Sequence, residues 1–200
     1  LKYDKIFLNG SSWGTIIAVE YYKAHPDRVA GIIFSGEAFD IAAAEKEINK
    51  AVAQLSDSAQ KAFAQYNIDK NLESPAYKAA TEEFYAKNVF RHPVQADVDS
   101  MFAMMGMDQY RYFQGENETM IVGALKGYSA MNILPTITVP VLMTTGEFDE
   151  LGPKLIEQHT KLIPGAKYIM YKDAAHITQW DAAELSVKDA REFLRAADKK

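Results

Sequence analysis

Ile6-Phe7-Leu8-Asn9-Gly10-Ser11-Ser12-Trp13-Gly14 is the stretch whose reading decides the fold. A short apolar run leads into it, and Thr15 to His25 after it has helical character. The order is therefore strand, sharp turn, helix, with G-x-S-x-G at the turn. A serine in that setting is held in a strained conformation with its hydroxyl exposed at the end of a sheet. Gly10 and Gly14 are expected because a side chain at either would crowd the strand or the helix. The bare pattern arises by chance in roughly one chain in fifteen of this size. The flanking strand and helix make it more specific than that. The competing reading is a plain turn in which Ser11 or Ser12 caps the helix.

Outward from this turn, Val29-Ala30-Gly31-Ile32-Ile33-Phe34 is a near-continuous apolar strand, the kind buried on both faces of a parallel sheet. Strand, helix and strand within about thirty residues form a βαβ unit. The helix is apolar nearly all round, which predicts packing on several sides. After Gly36 the pattern becomes helical. Ile41, Ala44, Ile48, Val52 and Leu55 recur at helical spacing, and a shorter piece runs to Tyr66. Ser74-Pro75 opens a further helix, with Tyr77, Thr81, Phe84 and Asn88 on one face. Another is predicted from about Ala96 to Met105, and Met101, Met104, Met105 and Met107 are expected to serve its packing or, if they face a pocket, to form an adaptable apolar lid. Sheet character returns with Val139 to Thr145, then a helix from Gly152-Pro153, a strand over Lys167 to Tyr171, and a final amphipathic helix. The chain divides into a core segment 1–36, a helical insertion 37–135 and a second core segment 136–200. The fold class is α/β, with parallel strands, flanking helices and a helical cap.

Composition limits the function. The chain has 200 residues, enough for one domain with an insertion. Its net charge of −5 argues against a nucleic-acid-binding face. It has no cysteine, so disulfides, thiolate metal sites and a cysteine nucleophile are excluded within it. No run approaches the length of a membrane span. No two histidines share a ligand spacing, and neither metal nor cofactor is expected.

Three residues fall just past the C-terminal ends of predicted parallel strands: Ser12, Asp149 and His176. That edge is where open α/β sheets bind ligands. The chain order Ser, Asp, His is that of the α/β-hydrolases. Ser12 would be the nucleophile, His176 the general base and Asp149 the group that orients it. The backbone N–H of Trp13 would be one oxyanion donor. Glu147 and Asp173 compete for the acid role, and Asp149 could instead cap the following helix. His25, His92 and His159 are read as surface or capping residues.

The chain resembles the proline iminopeptidase branch of the α/β-hydrolases. Gly10-Ser11-Ser12-Trp13-Gly14 is similar to its G-x-S-W-G elbow, and Gly146-Glu147-Phe148-Asp149-Glu150 to its G-E-[YF]-D-E segment. His176-Ile177-Thr178-Gln179-Trp180 is similar to its H-x-T-x-W segment, and Gly115-Glu116-Asn117-Glu118 with Gly123 to its cap motif. The resemblance implies a metal-free serine aminopeptidase that acts on short peptides or amides. It implies that Glu118 and Glu150 hold the substrate's ammonium group. An esterase, lactonase or amidase on the same triad, or an inactive fragment, is the alternative. The sequence departs from the family at Thr15, Glu116, Thr119 and Gly127-Tyr128-Ser129, which leaves the preferred first residue open. The family also carries strands and a His-Gly-Gly-Pro-Gly loop ahead of the elbow, whereas this chain opens with Leu1-Lys2-Tyr3-Asp4. The expectation is a C-terminal portion of a larger cytoplasmic enzyme whose activity needs an N-terminal segment as partner.

Overall fold

The structure, a computed structural model, describes residues 3–198. Its centre is a four-stranded parallel sheet. The strands are β1 (Ile6–Ser11), β2 (Val29–Ser35), β3 (Val141–Gly146) and β4 (Lys167–Tyr171), side by side in chain order. Alternate side chains leave opposite faces of a strand, and β2 and β3 use both. Ile32, Phe34, Val141 and Met143 join the main core with Ile16, Val19 and Ile156. Ile33 and Leu142 point the other way, against Phe193 of the last helix. The apolar run at 29–34 is thus buried on both sides, as its composition predicts.

Helix α1 (Trp13–Ala24) covers the first face and α7 (Pro153–Thr160) lies beside it. Ile17 is 52% exposed, so one side of α1 faces solvent although its sequence is apolar nearly all round. Helix α8 (Thr178–Asp181) is a single turn, and α9 (Ala183–Ala197) covers the second face. Between β2 and β3 the described residues form no strand, only an isolated bridge from Asp40 to Ser129. Five helices fill that interval: α2 (Ile41–Val52), α3 (Asp57–Asp69), α4 (Pro75–Phe84), α5 (Gln95–Met104) and α6 (Met107–Phe113). Helix α6 has no counterpart in the sequence reading, and α3 runs past Tyr66 to Asp69. No helix among the described residues is long and apolar enough to cross a membrane.

The end of α4 also departs from expectation. Residues Tyr85–Val89 widen into a π-helical turn. The wider turn breaks the spacing read from Tyr77 to Asn88. Val89 becomes buried, and Tyr85 reaches the site described below. The histidines divide differently too. His25 and His92 are exposed, but His159 is buried. Its Nδ1 lies 2.6 Å from Oε1 of the equally buried Glu37, whose Oε2 accepts from the N–H of Phe39. This pair ties α7 to the loop after β2, and nothing in local sequence joins two residues so far apart.

The break at Ser56-Asp57-Ser58 is a cap. Ser56 Oγ accepts from the N–H of Ala59. Glu83 of α4 reaches across to accept from both the N–H and the hydroxyl of Ser56. Lys87 and Ser56 hold the Glu83 carboxyl down to about 2. Ser56→Ala removes the cap and the hydroxyl half of the link between α3 and α4, leaving the backbone N–H bond to Glu83. It should lower stability by about 1 kcal/mol, read as a lower midpoint in denaturant unfolding.

Candidate active site

Ser12 sits at the junction of β1 and α1 with φ 52° and ψ −124°. A non-glycine residue with positive φ is costly and marks a site where surrounding structure imposes the conformation. The imposing bonds are visible. The N–H of Ser12 donates to the carbonyl of Ser35 at the end of β2, and Thr15 Oγ1 donates to the carbonyl of Ser12. Although Ser12 occupies the N-cap position of α1, its side chain makes no capping bond. The capping alternative therefore fails, and the hydroxyl remains available. Gly10 is required, because a Cβ there would run into the carbonyl of Gly14. Gly14 is not required on that ground: a Cβ there would meet nothing within 4 Å.

Trp13 is the first residue of α1, so its N–H has no acceptor within the helix. That leaves a donor beside Ser12, on the turn where the sequence reading puts an oxyanion contact. The indole is 44% exposed and lies 5.0 Å from the Phe113 ring, centroid to centroid.

Asp149 and His176 meet, both almost fully buried. Asp149 lies in the turn after β3 and His176 in the loop after β4. Nδ1 of His176 is 3.0 Å from Oδ1 of Asp149. Thr145 Oγ1 donates to Oδ2 of Asp149 at 2.8 Å, and the N–H of Leu151 donates to Oδ1 at 3.0 Å. The competitors are engaged elsewhere. Asp173 is exposed and pairs with Arg91 and His92, and Glu147 accepts from the N–H of Asp173. Gly146 starts the turn because a Cβ there would strike the backbone of Ala174 and Ala175.

The histidine loop is held from the far side by the helical block. The N–H groups of His176 and Ile177 donate to the carbonyls of Asn88 and Val89. Those carbonyls end the π-helical turn and would otherwise lack partners. Asp181 adds a second fastening. Its carboxylate accepts from the N–H groups of Arg91, His92 and Ala175. Gly36 closes the floor. It has φ +52°, and a Cβ there would lie 2.6 Å from Nδ1 of His176 and 3.1 Å from Oδ2 of Asp149. Neither Gly36 nor Asp181 stands out in the sequence. Only their placement against the histidine loop reveals them.

Ser12, His176, Glu118 and Glu150 line one cavity of about 580 Å³. Met101, Met105 and Met107 line it as well, while Met104 is 84% exposed. Three of the four methionines thus face the site, not the packing of a helix. Nε2 of His176 is buried and makes no hydrogen bond among the described residues, to Ser12 or to any other group. Catalytic hydrogen bonds are often loose in unliganded structures and tighten with substrate.

The charges are unusual. Glu150 is 2% exposed, and neither of its oxygens has a hydrogen-bond partner among the described residues. Its Oε1 lies 3.5 Å from Nδ1 of His176. Burial pushes its carboxyl well above the ordinary range, with Asp149 and Glu118 adding to the effect against the opposing charge of His176. Burial alone would lower the imidazole, but Glu150, Asp149 and Glu118 overcome it and push His176 up to about 10. Glu118 is half-buried, and burial raises its carboxyl too. Tyr110 donates to its Oε1 at 2.8 Å and Gln114 to its Oε2 at 3.1 Å. Both donors come from α6 and the residue following it, and so were invisible to a reading that missed that helix. Asp149, Glu150 and His176 bring ligand-type atoms within 4.8 Å of one another. Thr145, Leu151 and His176 already fill Asp149, however, so the set is a hydrogen-bonded pair with a loose carboxylate beside it.

A strained serine on a strand-to-helix turn and a buried Asp–His pair at the same sheet edge define a class, and residues 1–183 match the α/β-hydrolase fold family. The chain belongs to that family. Within it, the chain is 28% identical over 181 residues to the proline iminopeptidase of Thermoplasma volcanium, covering 89% of this chain and 61% of that protein. It is 26% identical over 193 residues to the proline iminopeptidase of Saccharolobus solfataricus, covering 96% of this chain and 62% of that protein. The chain therefore spans about three-fifths of the length of these relatives. The crystal structure of the Mycobacterium smegmatis proline iminopeptidase superposes with a TM-score of 0.88 at 25% identity, over 98% of this chain and 66% of that one.

Gly36→Ala places a methyl group against the Asp149–His176 pair. Displacing a reacting group by about 1 Å costs on the order of 100-fold in rate. Labelling of Ser12 by a fluorophosphonate probe should slow by about that factor, while the folded fraction measured by circular dichroism falls far less.

Proposed function

We propose that this chain is part of a serine hydrolase that releases an N-terminal residue, proline or similar, from short peptides through an acyl-enzyme. The observation that carries the reading is Glu150: a buried carboxylate whose two oxygens have no hydrogen-bond partner among the described residues, bordering the cavity that Ser12 also lines. A buried charge without a partner is costly. A substrate ammonium group would supply the missing partner, and Glu118, on the same cavity, would supply a second carboxylate. The sequence motifs and the proline iminopeptidase relatives support the same substrate class.

The chemistry follows from the residues. Ser12 Oγ attacks the scissile carbonyl carbon as its proton passes to Nε2 of His176. Asp149 keeps Nδ1 protonated and stabilises the imidazolium. The N–H of Trp13 donates to the oxygen that becomes negative. His176 returns the proton to the leaving amine, and the acyl group stays on Ser12. Water, deprotonated by the same imidazole, then cleaves the ester and frees the amino acid.

A complete enzyme of this kind needs a second oxyanion donor. The relatives extend well beyond the matched region, and the outer edge of β1 pairs with no strand among the described residues. Both observations support a further segment as the partner of this chain. An esterase on the same triad is the rival reading, and it has no use for two carboxylates in the pocket.

Proline β-naphthylamide should be cleaved and its N-acetyl derivative left intact, in a fluorimetric assay of the full-length enzyme. Glu118→Ala or Glu150→Ala should raise KM for the free amine by about tenfold or more, since each 1.4 kcal/mol of lost pairing is a factor of ten. For Glu118→Ala, hydrolysis of p-nitrophenyl acetate should change far less. Equal cleavage of the acetylated and free substrates would remove the ammonium anchor and favour the esterase reading.

A further inference from the structure

We propose that the empty site stores one proton, shared between His176 and Glu150, and that an entering ammonium group expels it and so switches the base on. The inference rests on the ammonium-anchor reading above and adds to it a reason for the anchor to stand beside the histidine. The geometry carries it. Glu150 Oε1 is 3.5 Å from Nδ1 of His176, the same nitrogen that Asp149 holds at 3.0 Å. Two carboxylates therefore converge on one nitrogen of a single imidazole, with both partners in the further contact almost fully buried. Among the described residues Asp149 has other donors, whereas Glu150 and the far nitrogen, Nε2, have no hydrogen-bond partner.

Electrostatics then dictates occupancy. The charged groups facing the imidazole are Glu150 and Asp149 from the turn after β3, and Glu118 from the segment after α6. The carbonyl of Asn88 accepts from the backbone N–H of His176, and the loop after β2 brings the uncharged Gly36 against the ring. With no cation among these groups, three ionised carboxylates around a neutral imidazole would be a heavily uncompensated buried charge. A proton is the available counter-charge, and it belongs to the pair and not to either residue alone. The direction of the shifts at both groups agrees. While that proton sits on the imidazole, Nε2 carries a hydrogen and cannot accept one from Ser12.

An ammonium group seated between Glu118 and Glu150 brings the same unit of charge. The stored proton then loses its electrostatic support and leaves to solvent. What remains is an ionised Glu150 paired with the substrate and a neutral imidazole ready for Ser12. The proton balance is simple: one cation enters and about one proton leaves. A substrate with a blocked amino end would bring no charge and would meet a protonated, idle site. Selectivity would then act on the chemical step as well as on binding.

Isothermal titration calorimetry of the full-length enzyme with L-prolinol tests this directly. Prolinol carries the ammonium group and no scissile bond. Titrations near neutral pH in buffers of different ionisation enthalpy should show release of about one proton per ligand bound, as linkage requires when a bound cation displaces a proton. Binding without proton release would overturn the stored proton while leaving the ammonium anchor intact. Failure of prolinol to bind would overturn both. The pH dependence of fluorophosphonate labelling gives a second, ligand-free readout. In the native enzyme the rate should keep rising into the alkaline range. In Glu150→Gln the midpoint should move down by about one unit or more, since the carboxylate that favours the protonated form is gone. A merely structural role for Glu150 would lower the rate without moving the midpoint, and that result would overturn the proposal.

Discussion

The parallel register of the sheet is the constraint on which the site depends. Ser11 pairs with Ser35, Ser35 with Thr144, and Gly146 with Tyr171. Consecutive strands therefore end at nearly one level. The residues that follow are delivered to a common rim: Ser12 after β1, Gly36 after β2, Asp149 after β3 and His176 after β4. Parallel pairing needs crossover connections, and each crossover leaves a strand at this same end. Short hydrogen bonds then lock the rim. Ser12 hangs from Ser35, Gly36 from Thr144, and Ser35 Oγ lies 2.9 Å from Oγ1 of Thr178, just past the histidine. A shift of one strand would turn its side chains to the other face and break the line of groups at the rim.

Two kinds of burial meet at that rim. The Asp149–His176 pair is satisfied: its carboxylate is filled by Thr145, Leu151 and the imidazole. Glu150, one residue further on, is equally buried and has no partner among the described residues. Folding alone gives no reason to keep such a group, because an apolar residue of similar size would be cheaper there. Tension of this sort is a mark of a site whose remaining partner arrives from outside. Glu118 shows the milder form, steadied by Tyr110 and Gln114 yet still raised by its surroundings.

Much of this was legible in the sequence because it is local. The strands at 29–34 and 141–143 are near-continuous apolar runs, and Ser74-Pro75 and Gly152-Pro153 announce helix starts in the order in which the structure uses them. The turn at Ser12 and the chain order of Ser12, Asp149 and His176 could be placed from spacing and neighbouring strands. The features that escaped are non-local. The π-helical turn at Tyr85–Val89 exists because its carbonyls find partners on the histidine loop, and no pattern within it says so. Helix α6 is short, with no buried residue to give it an apolar face. His159 looked like a surface residue because its counter-charge, Glu37, lies on another layer of the fold. Gly36 is unremarkable in sequence, yet its missing Cβ is what makes room for the imidazole. Gly14 errs in the opposite direction, a motif glycine with open space around it.

The bonds from Asn88 and Val89 to the backbone of His176 and Ile177 have a consequence for how such a chain can change over time. A lid that merely roofs a pocket can be exchanged like a module, altering substrate choice and nothing else. Here the roof also carries one wall of the hinge on which the imidazole hangs. An insertion or graft that moved the end of α4 would retune the reach of the imidazole along with the shape of the pocket. Diversification is therefore narrowest in the five residues where the helix widens.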